Sequence, residues 1–299
     1  MKMLKKLAIT IIPAMAAFTF LCPPAGAQSV VDWNQGVIIA VGQGTAESSG
    51  NRGKDRLMAE RAAQVHAYRE LLEVTKGVHV DSSTTVENMM VKEDIVKARV
   101  EGIVKGAQVV KKKVEWEDKT PLATVEVRLC LNNTNCTGAS LVSSINLDQN
   151  PGPPNTPVKP FVLEPAGTAV PLAPKGPKYS YDSQKKVTGV IFNLEGRPFE
   201  KVLLPVVVTG KDNEMMTVYS VKSVKPNVIR TYGVVRYADN VDSGRKIEYL
   251  GDNVLVISAD QVTKENFILL DKDAARILKE TTAHDNDYTS DAKVVISAK

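Results

Sequence analysis

The stretch VKKKVEWEDKTPLATVEVRLCL, Val110 to Leu131, decides the fold of the region around it. Val110, Lys112, Val114 and Trp116 share one side of an outgoing strand, and Ala123, Val125, Val127, Leu129 and Leu131 share one side of the return. Successive strand side chains point to opposite faces, so this alternation predicts a hairpin with one face turned to a core. Asp118-Lys119-Thr120-Pro121 supplies the turn. Thr124, Glu126, Arg128 and Cys130 then point away from the core. An antiparallel sheet with a single apolar face needs helices to cover it.

The residues before the hairpin provide that cover. Gly36 to Ala46 reads as a strand ending in a glycine-rich bend, Ser49 to Lys54 as a polar loop, and Asp55 to Lys76 as a helix that stops at Gly77. Met58, Ala62, Val65, Tyr68 and Leu72 recur at spacings of three and four, which puts them on one helix face. Val78 to Val86 alternates with the period of a strand, and Glu87 to Val100 suits a second helix burying Met89, Val96 and Val100. Residues 30–145 are therefore expected to form an α+β unit, a small antiparallel sheet with one or two helices.

Nine of the sixteen prolines fall between Pro151 and Pro177. Proline lacks an amide hydrogen and favours extended backbone, so residues 149–184 read as a semi-rigid spacer, part of which could pack across a neighbouring domain. Residues 185–299 look β-rich with one helix. Val187–Leu194, Val202–Thr209, Met216–Val221, Val228–Tyr237, Lys246–Leu250 and Val254–Ser258 are the candidate strands, and Val294 to Ile296 is a final one. The helix follows Asp271, which can cap it, and Ala274, Ile277 and Leu278 give it a buried stripe.

Residues 1–27 have the form of a secretory signal peptide: Lys2, Lys5 and Lys6, an apolar run from Leu7 to Leu21, then Ala25-Gly26-Ala27. Export to the periplasm or beyond is the expectation. An uncleaved anchor is the alternative, although the run is shorter than the roughly 20 residues that span a bilayer. Lipidation at Cys22 would need small residues where Phe20 and Leu21 stand. Cys130 and Cys136 remain, separated by a turn-rich run of five residues, and an oxidising compartment favours a local disulfide of about 2 kcal/mol. A redox or metal pair is the rival, but the gap is neither CxxC nor a zinc spacing.

Cleavage would lower the formal charge from +4 to +1, which argues against nucleic-acid binding. The basic run Lys111-Lys112-Lys113 is followed by Glu115, Glu117 and Asp118. Gly42-x-Gly44 lacks the third glycine of a dinucleotide fingerprint, and Gly50 to Lys54 is followed by Asp55, which would repel phosphate. Of His66, His79 and His284, none sits in HExxH or beside a GxSxG nucleophile. Asp285, Asp287 and Asp291 could gather oxygen ligands for calcium, but an acidic surface loop is the simpler reading. No catalytic residue, cofactor site or metal site is expected, and no membrane-spanning helix after cleavage.

Gly42-Gln43-Gly44-Thr45-Ala46, then Ala59-Glu60-Arg61-Ala62-Ala63 continuing to Tyr68-Arg69-Glu70-Leu71, resembles the start of the LPP-twenty lipoprotein and flagellar assembly protein T N-terminal group. Gly77-Val78-His79-Val80 and Gly102-Ile103-Val104-Lys105-Gly106-Ala107 follow in that group's order, so the resemblance covers about residues 36–131. It implies an envelope protein without known chemistry, sometimes a lipoprotein and sometimes part of a ring around the flagellar basal body. The chain departs from the group in lacking a good lipobox. Thr188-Gly189-Val190-Ile191 with Asp273-Ala274-Ala275-Arg276-Ile277 resembles a companion domain found beside such modules. The expected role is non-enzymatic binding of envelope or basal-body proteins, with homo-oligomerisation open. A periplasmic hydrolase or small-ligand-binding protein with its site in the C-terminal region is the alternative.

Overall fold

Two glycines and three alanines set the geometry of the first unit in the computed structural model. The structure describes residues 29–299 apart from 135, 151, 158, 163–177, 212, 213 and 284. The expected signal peptide with Cys22, residues 163–177 of the expected linker, and His284 lie outside the described residues. β1 (Val30–Asp32) and β2 (Val37–Thr45) form a hairpin, and helix α1 (Arg52–Lys76) crosses above it. A Cβ on Gly42 would collide with the backbone of Ala67 and Ala63, and one on Gly44 with the backbone of Ala63 and Ala59. Ala59, Ala63, Ala67 and Leu71 are accordingly the buried face of α1. The expected stripe of Met58, Ala62, Val65, Tyr68 and Leu72 is therefore corrected: Met58 is 58% exposed and Val65 is exposed as well. Small residues that let helix backbone rest on strand backbone have displaced the larger ones outward. Asn51 caps the helix, accepting from the Lys54 amide at 3.1 Å.

The stretch read as one strand from Val78 folds as a tight pair, β3 (His79–Asp81) and β4 (Thr84–Thr85). Two helices follow where one was expected, α2 (Val86–Lys92) and α3 (Asp94–Lys105), split by the extended backbone of Glu93. The hairpin is β5 (Gln108–Glu117) and β6 (Thr120–Cys130), and the sheet order is β1-β2-β6-β5, antiparallel throughout. Its turn is shorter than expected, Asp118 and Lys119 alone, since Thr120 already faces Glu117 and Pro121 faces Trp116. Asp118 takes the left-handed conformation, φ 52°. A bulge between Val109 and Lys111 turns Val109 rather than Val110 inward. Ala123, Val125, Val127 and Leu129 form the core face as the alternation required.

After α4 (Leu141–Ser144), β7 (Tyr179–Ser180) rises from the stretch read as linker and joins the second unit. There β8 (Gly189–Asn193), β9 (Val207–Thr209) and β10 (Met216–Tyr219) precede α5 (Pro226–Tyr232), β11 (Arg236–Ala238) and α6 (Val241–Arg245). β12 (Val254–Ser258), β13 (Gln261–Val262), β14 (Ile268–Leu270), α7 (Lys272–Thr281) and β15 (Val294–Ser297) complete it. One sheet runs β11-β15-β8-β12-β7, parallel except for β7, and the other runs β10-β9-β14-β13. The α+β class holds, with an antiparallel N-terminal sheet and a β-rich C-terminal region. The expectation of a single helix there is corrected to three α-helices among the described residues. Val228 to Tyr237 is α5 and then β11: Pro226 starts the helix and Gly233, at φ 76°, ends it. Lys246 to Leu250 is a bend and a short 3-10 turn rather than a strand.

The two units share one apolar core that runs from Ile38 and Leu71 through Ile145 and Leu147 to Phe192 and Tyr219. Backbone bonds cross between them: the Leu203 and Leu204 amides donate to the His79 and Val80 carbonyls at 3.0 and 2.8 Å. Residues 159–161 run beside β10, where the Thr217 amide donates to Lys159 and the Phe161 amide donates to Thr217, both at 2.9 Å. Among the described residues no helix is long and apolar enough to cross a membrane.

Candidate functional site

Cys130 ends β6 and Cys136 follows a run of turns, and the two are joined by a disulfide with Cα atoms 5.8 Å apart. They pack with Val37 and Ile39 in a small cluster separate from the main core, on the sheet face away from α1. The loop they close reaches the second unit, where the Asn133 amide donates to the Thr231 carbonyl at 2.9 Å.

That loop forms part of one wall of a cleft of about 820 Å³ between the units. Trp33, Asn34, Asn132 and Thr134 line the first unit's side; Tyr232, Arg236, Asp239, Lys246 and Tyr249 line the other. The β1–β2 turn holds Trp33 edge-on to Tyr237, ring centroids 5.4 Å apart. Asn34 Nδ2 donates to Asp239 Oδ1 at 2.8 Å, while Asn34 Oδ1 is buried without a partner among the described residues.

Arg236 is the focus of the cleft. It sits in β11 between α5 and α6, only 5% exposed, with Nη1 donating to the Ala292 carbonyl at 2.9 Å. Its guanidinium carbon lies 3.9 Å from the Tyr249 ring centroid and 5.7 Å from that of Tyr232, distances at which a cation is attracted to an aromatic face. Tyr249 is anchored by its hydroxyl, which donates to the Asp291 carbonyl at 2.6 Å. Burial pushes the Arg236 guanidinium below its usual pKa, opposed by the neighbouring Tyr249 and Tyr219. Among the described residues, Nε and Nη2 of Arg236 have no hydrogen-bond partner. A cationic fork framed by aromatic rings can hold a planar anion.

The residues weighed for other chemistry lie elsewhere and apart. His66, on α1, has Nδ1 3.1 Å from the Gln43 amide nitrogen and Nε2 3.5 Å from Glu70. His79 pairs with Glu200 at 3.1 Å. Asp287 accepts from the Thr289 hydroxyl at 2.6 Å and the Ser290 amide at 3.1 Å, and Asp291 pairs with Lys225 at 2.6 Å. Asp287 thus organises its own loop and Asp291 ties that loop to Lys225, and no group of three or more His, Cys, Asp or Glu suited to a metal is found among the described residues. Gly42 and Gly44 serve close helix–sheet approach, and Gly50 to Lys54 serves the start of α1.

Sequence reasoning misses Arg236 because strand propensity reads Val228 to Tyr237 as one strand. The available signal was a single charged residue inside the apolar run Gly233-Val234-Val235-Arg236-Tyr237-Ala238, since a lone arginine in a buried strand is rarely without purpose. Residues 189–298 match the family model of the second domain of Treponema pallidum Tp0624. The match takes in Tyr232, Arg236 and Tyr249 but not Trp33 or Asn34. No curated protein matches the chain.

Proposed function

We propose that the protein is an exported, non-enzymatic component of the cell envelope that acts by binding other proteins, with assembly of a flagellar basal-body ring as the more specific form. The observation that carries this reading is the outer strand β5, which ends the N-terminal sheet and, among the described residues, has one hydrogen-bonding edge unpaired along Gln108–Glu117. Such an edge can accept a strand from a partner. The exposed lysines Lys111, Lys112 and Lys113 lie on it and select for acidic strands while opposing self-pairing. The core shared by both units supports the reading, because it makes the body behind that edge rigid. The resemblance of residues 36–131 to the lipoprotein and flagellar group supports the more specific form.

The test is crosslinking and pulldown from the periplasm of motile cells and of cells lacking the basal body, with the wild-type chain and with Lys111, Lys112 and Lys113 all changed to Glu. The expected result is a set of partners that disappears with the basal body and falls at least about tenfold in the charge-reversed variant, since like charges across an interface suppress pairing. An unchanged set in both cell types would remove the flagellar form. Unchanged capture by the variant would remove the strand edge.

A further inference from the structure

We propose that the cleft between the two units is a binding site for a small carboxylate, gripped by the Nε and Nη2 edge of Arg236. The inference stands apart from the assembly reading, and either can fail without the other. A guanidinium is planar and carries five donors. In Arg236 one side is engaged, Nη1 to the Ala292 carbonyl, while Nε and Nη2 are buried and unpartnered. Leaving charged donors buried without acceptors is costly. The guanidinium carbon lies 3.9 Å from the Tyr249 ring centroid, so that ring meets part of the group's charge. The Nε–H and Nη2–H bonds run parallel, and their spacing matches the two oxygens of a carboxylate.

The rest of the cleft narrows the ligand further. Asp239 and Glu248 share the lining with Arg236 and Lys246, so a dianion such as phosphate meets more repulsion than a monoanion does. Trp33, Tyr232 and Tyr249 present ring surface suited to a flat apolar body. Asn34 Oδ1 and Thr134 Oγ1, also buried and unpartnered, are available to donors on such a ligand.

The experiment titrates benzoate, acetate and inorganic phosphate separately into the whole mature chain and follows the Nε–H resonance of Arg236 by NMR. Benzoate is expected to move that resonance saturably with a Kd on the order of 1 mM, acetate more weakly, and phosphate not at all. Arg236→Lys keeps the charge and loses the fork, so benzoate affinity should drop by about tenfold or more. A resonance unmoved by either carboxylate, or moved by phosphate alone, would overturn the proposal. So would an Arg236→Lys protein that binds benzoate as the wild type does. The wild-type titration decides the matter even where the variant fails to fold.

Discussion

The first unit is built by omission and the second by filling. Where α1 meets β2, the contact is made of Gly42, Gly44, Ala59, Ala63 and Ala67, side chains too small to hold backbones apart. The second unit instead buries Phe192, Tyr219, Phe267 and Tyr237. Its strands pair in parallel across long stretches of chain, β8 with both β12 and β15. Two ways of reaching native packing density follow. The first should be intolerant of added atoms, and the second of removed ones.

Gly42→Val is the severest test, because its new side chain meets main chain rather than a rotatable group. A loss of more than about 4 kcal/mol is expected in urea unfolding followed by circular dichroism, a size reserved for mechanisms of this kind. A smaller loss would mean that α1 can lift from the sheet. In the second unit the counterpart is Phe192→Ala, which empties a fully buried position. There a loss of about 3–4 kcal/mol is expected from lost burial plus the cavity. Since one core runs through both units, each variant should keep a single transition, and two separate transitions would divide the molecule after all.

Alkaline pH separates the units most gently. Burial raises the pKa of Tyr219, Tyr237 and Tyr288 above the usual 10.0, and all three belong to the second unit. The unfolded chain then loses these protons first as pH climbs past 10, so stability is intact below that pH and declines above it. For three such groups the decline is about 2–3 kcal/mol by about pH 10.5. Absorbance of tyrosinate during unfolding would check it. Ionisation of all three before the fold melts would contradict their burial.

The same contrast explains what could be read from the sequence. The β5–β6 hairpin was legible because its partners are neighbours in the chain and its alternation runs unbroken from Ala123 to Leu129. The buried face of α1 was misread by one position, since hydrophobic size pointed to Met58 and Val65 while close approach selected Ala59 and Ala63. Val228 and Ile229 suggested a strand by propensity, yet Pro226 and Gly233 bracket a helix. Parallel pairing of β8 with β15 brings together Val190 and Val294, a relation that no local pattern encodes. The cleft was hidden for that reason: Trp33 and Arg236 meet only once both units are folded. Beside the cleft, the cysteine pair was legible because it closes within a few residues.

The Cys130–Cys136 bond has a further effect through the loop it closes. Asn133 reaches from that loop to the carbonyl of Thr231, near the end of the helix that leads to Arg236. A chain still carrying free thiols would have the arginine in place but a loose rim above it. Oxidation would thus act as a finishing step that tightens the mouth of the cleft wherever conditions let the disulfide persist.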